Sequence, residues 1–150
     1  MDSKSILSKL PYTKPFLFVD EILEVNEELI LGEYTFSSDL DFYKGHFKDN
    51  PVTPGVILTE CMAQIGVVCL GIYLLNQEEE DRRLAKIALS STDMEFLRPV
   101  YPGEKVRVVS AKQYFRFNKL KCHVEMFDSE NNLVSRGMIA GMILKNKEGE

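Results

Sequence analysis

Apolar and polar residues alternate along much of the second half of the chain. Leu120, Cys122, Val124 and Met126 interleave with Lys121, His123 and Glu125, which gives an extended backbone one apolar face and one wet face. The same pattern predicts strands over Lys86–Phe96, Glu104–Phe117, Leu120–Phe127 and Leu133–Leu144. Pro99 and Pro102-Gly103 separate the first pair, and Asn118-Lys119 and Ser129-Glu130-Asn131-Asn132 supply hairpin turns. In the first half, Phe16–Val19 and Ile22–Val25 predict one strand that bends near Asp20-Glu21. Leu29–Phe36 predicts the next strand, and Ser37–Thr53 is a polar loop.

The period then changes. From Val56 to Leu75 apolar residues fall on nearly every helical face, so this helix has to be enclosed by other structure. Thr53 is placed to cap it, and Pro54 suits its first turn, where a missing N–H costs nothing. Thr59, Glu60 and Gln64 interrupt the apolar run, and the clean remainder is too short to span a bilayer. Gln77–Arg83 is a charged, solvated connector, and a polar tail frays from Lys145. The expected architecture is α+β: one domain over residues 1–150, with a curved antiparallel sheet of about six strands wrapped around one long central helix. Such a sheet covers one side of the helix, and a second copy of the chain is the expected cover for the rest.

Composition narrows the function classes. The chain has 150 residues and a formal net charge of -5, which argues against a nucleic-acid partner. Its three cysteines, Cys61, Cys69 and Cys122, have no disulfide or zinc spacing, and a reducing, cytoplasmic setting is expected. Met1–Ser5 lacks the apolar core of a signal peptide. There is no Gly-x-Ser-x-Gly elbow, phosphate loop, dinucleotide fingerprint or metal-ligand spacing, so neither a metal nor an organic cofactor is expected.

One segment carries chemistry. His46 lies between Gly45 and Phe47 just ahead of the helix, and a neutral imidazole there can act as a base. A lone loop histidine is more often a surface or structural hydrogen-bonder; its place beside a helix N-terminus and an apolar wall favours chemistry. Glu60 sits among Val56-Ile57-Leu58 and Met62-Ala63, where a carboxylate must be paired, protonated or at a cavity. It suits a general acid, and the competing reading pairs it structurally with Gln64, one turn on. The N–H of Gly55, in the first helical turn, has no partner within the helix and is a candidate oxyanion donor. Tyr12, Phe42, Tyr43 and Phe96 are candidates to line an apolar tunnel, although core packing is the commoner role of each. His123 reads as strand surface.

Three blocks carry a family resemblance. Leu10-Pro11-Tyr12-x-x-Pro15-Phe16-Leu17-Phe18-Val19-Asp20 resembles the N-terminal signature of the 3-hydroxyacyl-[acyl-carrier-protein] dehydratases of bacterial type II fatty acid synthesis. Gly45-His46-Phe47, Pro51-Val52-x-Pro54-Gly55-Val56 and Glu60-x-Met62-Ala63-Gln64 resemble their active-site signature, and Phe96–Glu104 resembles their third block. The resemblance implies a hotdog fold. It implies dehydration of (3R)-3-hydroxyacyl thioesters to trans-2-enoyl thioesters, in fatty acid or related polyketide or polyene biosynthesis. His46 takes the place of the catalytic histidine, Glu60 of a carboxylate supplied by the other subunit, and Gly55 of the backbone donor to the thioester carbonyl. It also implies acyl carrier protein as partner, with the substrate on its phosphopantetheine, and a homodimer that in this family often forms a trimer of dimers. Lys44, Lys48, Arg98, Arg116 and Lys119 are candidates for docking the carrier. Lys48, Thr53 and Lys14 depart from the family pattern, the first two in the active-site loop. The alternatives are a hotdog acyl thioesterase and a non-catalytic acyl-binding hotdog subunit.

Overall fold

The computed structural model describes residues 1–77 and 85–145. Six strands form one antiparallel sheet: β1 Glu21–Val25, β2 Leu29–Thr35, β3 Ala85–Phe96, β4 Lys105–Arg116, β5 Lys119–Phe127 and β6 Leu133–Lys145. Their order is β1-β2-β4-β5-β6-β3. The alternation on β5 decides which face turns inward: Leu120, Cys122, Val124 and Met126 are fully buried. Each large apolar side chain so enclosed stabilises the fold by about 1.5–3 kcal/mol.

The central helix starts as α2 (Gly55–Ala63), passes through π-helical turns at Gln64–Cys69, and continues as α3 (Leu70–Gln77). Its middle is pressed against the sheet. A Cβ on Gly66 would lie 3.0 Å from the Ser110 Cβ, and the Ser110 hydroxyl donates to the Gly66 carbonyl at 2.8 Å. That side chain enters the helical ladder within the π stretch, a recognised cause of local irregularity. Continuous helix runs over Gly55–Asn76, 22 residues, which by length and composition is enough to cross a bilayer. Glu60 and Gln64 interrupt its apolar run, as read from the sequence, without breaking the helix. In its most apolar window 67% is buried inside the fold, as expected of a core helix.

Several local expectations are corrected. Phe16–Val19 is not a strand; β1 begins at Glu21. Its backbone is matched by helix side chains instead. The Gln64 amide accepts from Phe18 N–H at 2.8 Å and donates to the Phe16 carbonyl at 2.9 Å, and the Cys61 thiol lies 3.3 Å from the Phe18 carbonyl. Thr53 does not cap the helix: Pro54 holds the N-cap position without any side-chain cap, and the helix starts at Gly55. The β4–β5 turn is Phe117-Asn118, both at positive φ (53° and 60°), with Arg116 paired to Lys119, one residue earlier than expected. A short helix, α1 (Ser3–Ser8), precedes the sheet, and Asp2 caps it by accepting from Ser5 N–H. The expected loop contains a 3-10 turn at Asp41–Lys44. The charged connector lies mostly outside the described residues, as does the tail beyond Lys145.

β3 is an edge strand of 12 residues, and it leaves Leu89 and Phe96 about half exposed. Part of the helix is also uncovered: Val56 is 78% exposed, and Ile57, Glu60, Ile72, Tyr73 and Leu75 are only partly buried. One long helix laid on the inner face of a six-stranded antiparallel sheet is the hotdog arrangement.

Two outcomes follow from this packing. Gln64→Leu leaves the buried Phe18 N–H without its acceptor and removes the donor to the Phe16 carbonyl; it should cost about 1–3 kcal/mol, read by denaturant unfolding at fixed protein concentration. All three cysteines are buried, and burial raises every thiol pKa, that of Cys122 to about 11. At pH 7.5 the thiols are therefore protonated and enclosed. Iodoacetamide should label none of them in the native protein and all three after denaturation, as counted by mass.

Candidate active site

The first turn of α2 is the focus of the site. The Pro54 carbonyl accepts from the N–H groups of Ile57 and Leu58, while those of Gly55 and Val56 have no acceptor among the described residues. They sit at the positive end of the helix dipole, where an oxyanion is favoured. Gly55 lines a cleft of about 270 Å³ with Thr53, Leu58, Phe96, Leu97, Arg98 and Pro99. A Cβ at Gly55 would lie 3.3 Å from the Phe96 ring, so glycine keeps the backbone open to this cleft.

His46 is partly buried in the loop that follows the 3-10 turn. Its Nδ1 lies 2.7 Å from the Val52 carbonyl. A carbonyl only accepts, so Nδ1 carries the hydrogen and, in the neutral ring, Nε2 keeps its lone pair free to take a proton. Phe47, at φ 56°, stacks on the imidazole with ring centroids 4.5 Å apart and planes at 12°. The expected apolar wall is therefore a stacking partner.

Glu60 is half-buried at the edge of a second cleft, of about 220 Å³, with Tyr12, Phe16, Ala63, Val67, Val68, Ile87, Ala88, Leu89 and Gly141. One carboxylate oxygen, Oε2, accepts from Gln64 Nε2 at 2.9 Å. Gln64 is fully buried and its amide already holds Phe16 and Phe18, so the orientation of Glu60 is tied to the N-terminal segment. The two readings of Glu60 thus coexist: it is paired with Gln64, and it faces a cavity. Burial first, and then the Glu60 charge, push the Tyr12 hydroxyl up to about 12, so it stays a neutral donor in this cleft.

Within one protomer these groups do not share either of these two clefts, both lined by described residues. Gly55 and Glu60 line different clefts, and His46 lines neither. Five residues of helix place Gly55 and Glu60 about 140° apart around the axis. Of the aromatic residues considered from the sequence, Tyr12 and Phe96 line clefts, one each. Phe42 and Tyr43 pack edge-on at 4.7 Å, and the Tyr43 hydroxyl lies 2.6 Å from Thr53 Oγ1. The sequence reading missed Phe16 and Arg98 as cleft residues and the grip of Gln64 on the backbone. A buried amide one turn after a lone carboxylate was the available signal for Gln64. Among the described residues no three His, Cys, Asp or Glu side chains gather to hold a metal ion.

Comparisons with known proteins bear on the family and the fold. The FabA-like domain family matches residues 10–131. A 3-hydroxyacyl-[acyl-carrier-protein] dehydratase FabZ of Anaplasma marginale is 34% identical over 148 residues, covering 95% of this chain and 97% of its own. The FabZ of Bacillus cereus is 38% identical over 109 residues, 72% of each chain. A bifunctional LpxC/FabZ enzyme of Porphyromonas gingivalis is 38% identical over 114 residues, and the chain spans only 24% of its length. Among solved structures, the dehydratase heterocomplex ApeI:P of Xenorhabdus doucetiae superposes with a TM-score of 0.75 at 15% identity, covering 97% of this chain and 93% of that one. A thioesterase of Haemophilus influenzae gives 0.61 at 16% identity, covering 87% and 82%; these two likenesses concern the fold alone. On the extent of the family match and of the relatives that the chain covers nearly end to end, it belongs to the FabA-like family.

Proposed function

We propose that the protein removes water from (3R)-3-hydroxyacyl thioesters, carried on acyl carrier protein in the cytoplasm, to give trans-2-enoyl thioesters for fatty acid or related polyketide or polyene biosynthesis. The carrying observation is the His46 Nδ1 bond to the Val52 carbonyl, which leaves Nε2 as the basic nitrogen. In this mechanism the thioester carbonyl accepts from Gly55 N–H. His46 Nε2 takes the C2 proton, and the electron pair forms the C2=C3 bond. The C3–O bond breaks as Glu60 protonates the departing hydroxyl, which leaves as water. Glu60 uses the oxygen that Gln64 does not hold. The step is an acid–base elimination and calls on no organic cofactor or metal.

The active unit in this proposal is a homodimer with shared sites. β3 carries Phe96, its last residue, at the Gly55 cleft and Leu89, seven residues earlier, at the Glu60 cleft. An antiparallel pairing of two β3 edges would set these two regions against each other across a two-fold axis. His46 and Gly55 of one subunit would then face Glu60 of the other. The exposed Leu89, Phe96 and Val56 are the apolar surface such a contact covers. Of the candidate docking cations, Arg98 lines the Gly55 cleft, whereas Lys44 is paired to Asp41 at 3.0 Å and Arg116 sits over the Tyr114 ring at 4.2 Å. Of these three, Arg98 is the cation best placed to meet the carrier's acidic surface or its phosphopantetheine phosphate.

His46→Ala and Glu60→Gln should each lower the rate of crotonyl-thioester hydration about 10²–10⁴-fold, with unfolding curves close to wild type. The loss of enoyl absorbance reports the reaction, and a thiol reagent run in parallel distinguishes hydration from thioester hydrolysis. Near-normal rates in either variant would reject the role given to that residue. Thiol release without an enoyl signal would favour a thioesterase, and saturable acyl binding without turnover a non-catalytic subunit.

A further inference from the structure

The hydroxyls of Tyr43 and Thr53 meet at 2.6 Å and are both buried, with Tyr43 5% and Thr53 4% exposed. Neither belongs to the proton-transfer set, yet both adjoin it. Tyr43 lies in the 3-10 turn, whose Phe42 carbonyl accepts from the N–H groups of Gly45 and His46. Thr53 is two residues before Gly55 and lines the same cleft. The segment ahead of the helix is thus held at consecutive positions. Val52 offers its carbonyl to His46 Nδ1, Thr53 offers its hydroxyl to Tyr43, and Thr53 N–H donates to the Val100 carbonyl at 2.8 Å. Among the described residues the imidazole bond is the one side-chain hydrogen bond at His46, and backbone bonds hold its neighbours. The hydroxyl pair adds a second side-chain bond between the same two segments, three residues before His46 and on the other side of Gly45. Both residues could be apolar in an otherwise apolar setting, and a buried hydroxyl is costly unless paired, so the two polar choices depend on each other.

We infer that the Tyr43–Thr53 hydroxyl pair is a positioning device that sets the His46 imidazole relative to the Gly55 N–H. The inference rests on the dehydratase reading of His46 and Gly55. Neither hydroxyl reacts. Burial raises the Tyr43 pKa, which keeps its proton in place for the bond. Loss of either hydroxyl loosens the loop by a fraction of an ångström to an ångström, and geometric errors of that size slow chemistry more than they weaken binding.

The test compares wild type with Y43F, T53V, T53S and the double variant Y43F/T53V, using crotonyl-thioester hydration together with nitrogen NMR of the imidazoles. Y43F and T53V should each lower kcat about 10- to 100-fold with KM changed less than about threefold. T53S, which keeps the hydroxyl, should recover kcat to within about threefold of wild type, and the double variant should be no slower than the slower single one. The chain has two histidines, so His123 serves as the internal control. His46 should show one Nδ1–H tautomer in wild type and T53S and a mixed signal in T53V and Y43F, with His123 unchanged. Wild-type kcat in Y43F or T53V, a T53S as slow as T53V, or multiplying losses in the double variant would overturn the inference. Y43F removes a single oxygen and decides the matter even where T53V fails to fold. An inactive wild type would instead refute the dehydratase reading, and the tautomer comparison would still decide whether the pair holds His46.

Discussion

An apolar helix must be covered on every side, and the layout of this protein depends on that requirement. One six-stranded sheet covers the inner side through Leu120, Cys122, Val124, Met126 and Ile139, all fully buried. The outer side, with Val56, Ile57, Ile72 and Tyr73, remains partly open, next to an edge strand with its own exposed Leu89 and Phe96. Polar groups survive on such a helix only where a cavity or a dedicated partner receives them. Its first turns meet that condition: Gly55 and Glu60 face clefts, and Gln64 spends its amide on Glu60 and on the backbone of Phe16 and Phe18. The candidate chemistry therefore gathers at the N-terminal end of the helix, where two clefts open onto it.

The three sequence blocks converge on that end by ordinary hydrogen bonds. The N-terminal block is carried by Gln64 and the Cys61 thiol. The middle block supplies His46, Val52, Thr53 and the open helix turn. In the third block, Val100 accepts from Thr53 N–H, Phe96 packs over Gly55, and the Gly103 turn at φ 91° returns the chain to β4. The blocks are far apart in the chain, and each of the two distant ones is tied to helix α2 or to the residues just before it. A change in either outer block can thus shift the site without touching a reacting group.

Where backbone pairs with backbone, the alternation pattern was a reliable guide. β2 and β4–β6 were readable to within about a residue, because a period of 2 reflects burial directly, and the length of the helix was readable from an apolar run that covers nearly every face. The misreadings fall where side chains replace the usual backbone partners. Phe16–Val19 has strand-like composition, but a glutamine amide completes its hydrogen bonds. Thr53 has the composition of a cap, but its hydroxyl is taken by Tyr43. The π turns at Gln64–Cys69 depend on Ser110, 44 residues away from Gly66, and no local pattern signals them. The candidate residues His46, Gly55 and Glu60 were readable as chemical types beside a helix start, whereas a carboxylate serving another subunit's site followed from the family resemblance and not from any local pattern.

That division between subunits is the account's central claim, since it makes the proposed site a joint product of two chains. The direct measurement mixes two inactive variants, His46→Ala and Glu60→Gln, by co-refolding. In a mixed dimer one site inherits both lesions and the other inherits none. Random pairing should therefore restore about a quarter of wild-type hydration activity. If histidine and carboxylate instead serve the same site from one chain, every site keeps a lesion, and a mixture no more active than its parents would contradict the account.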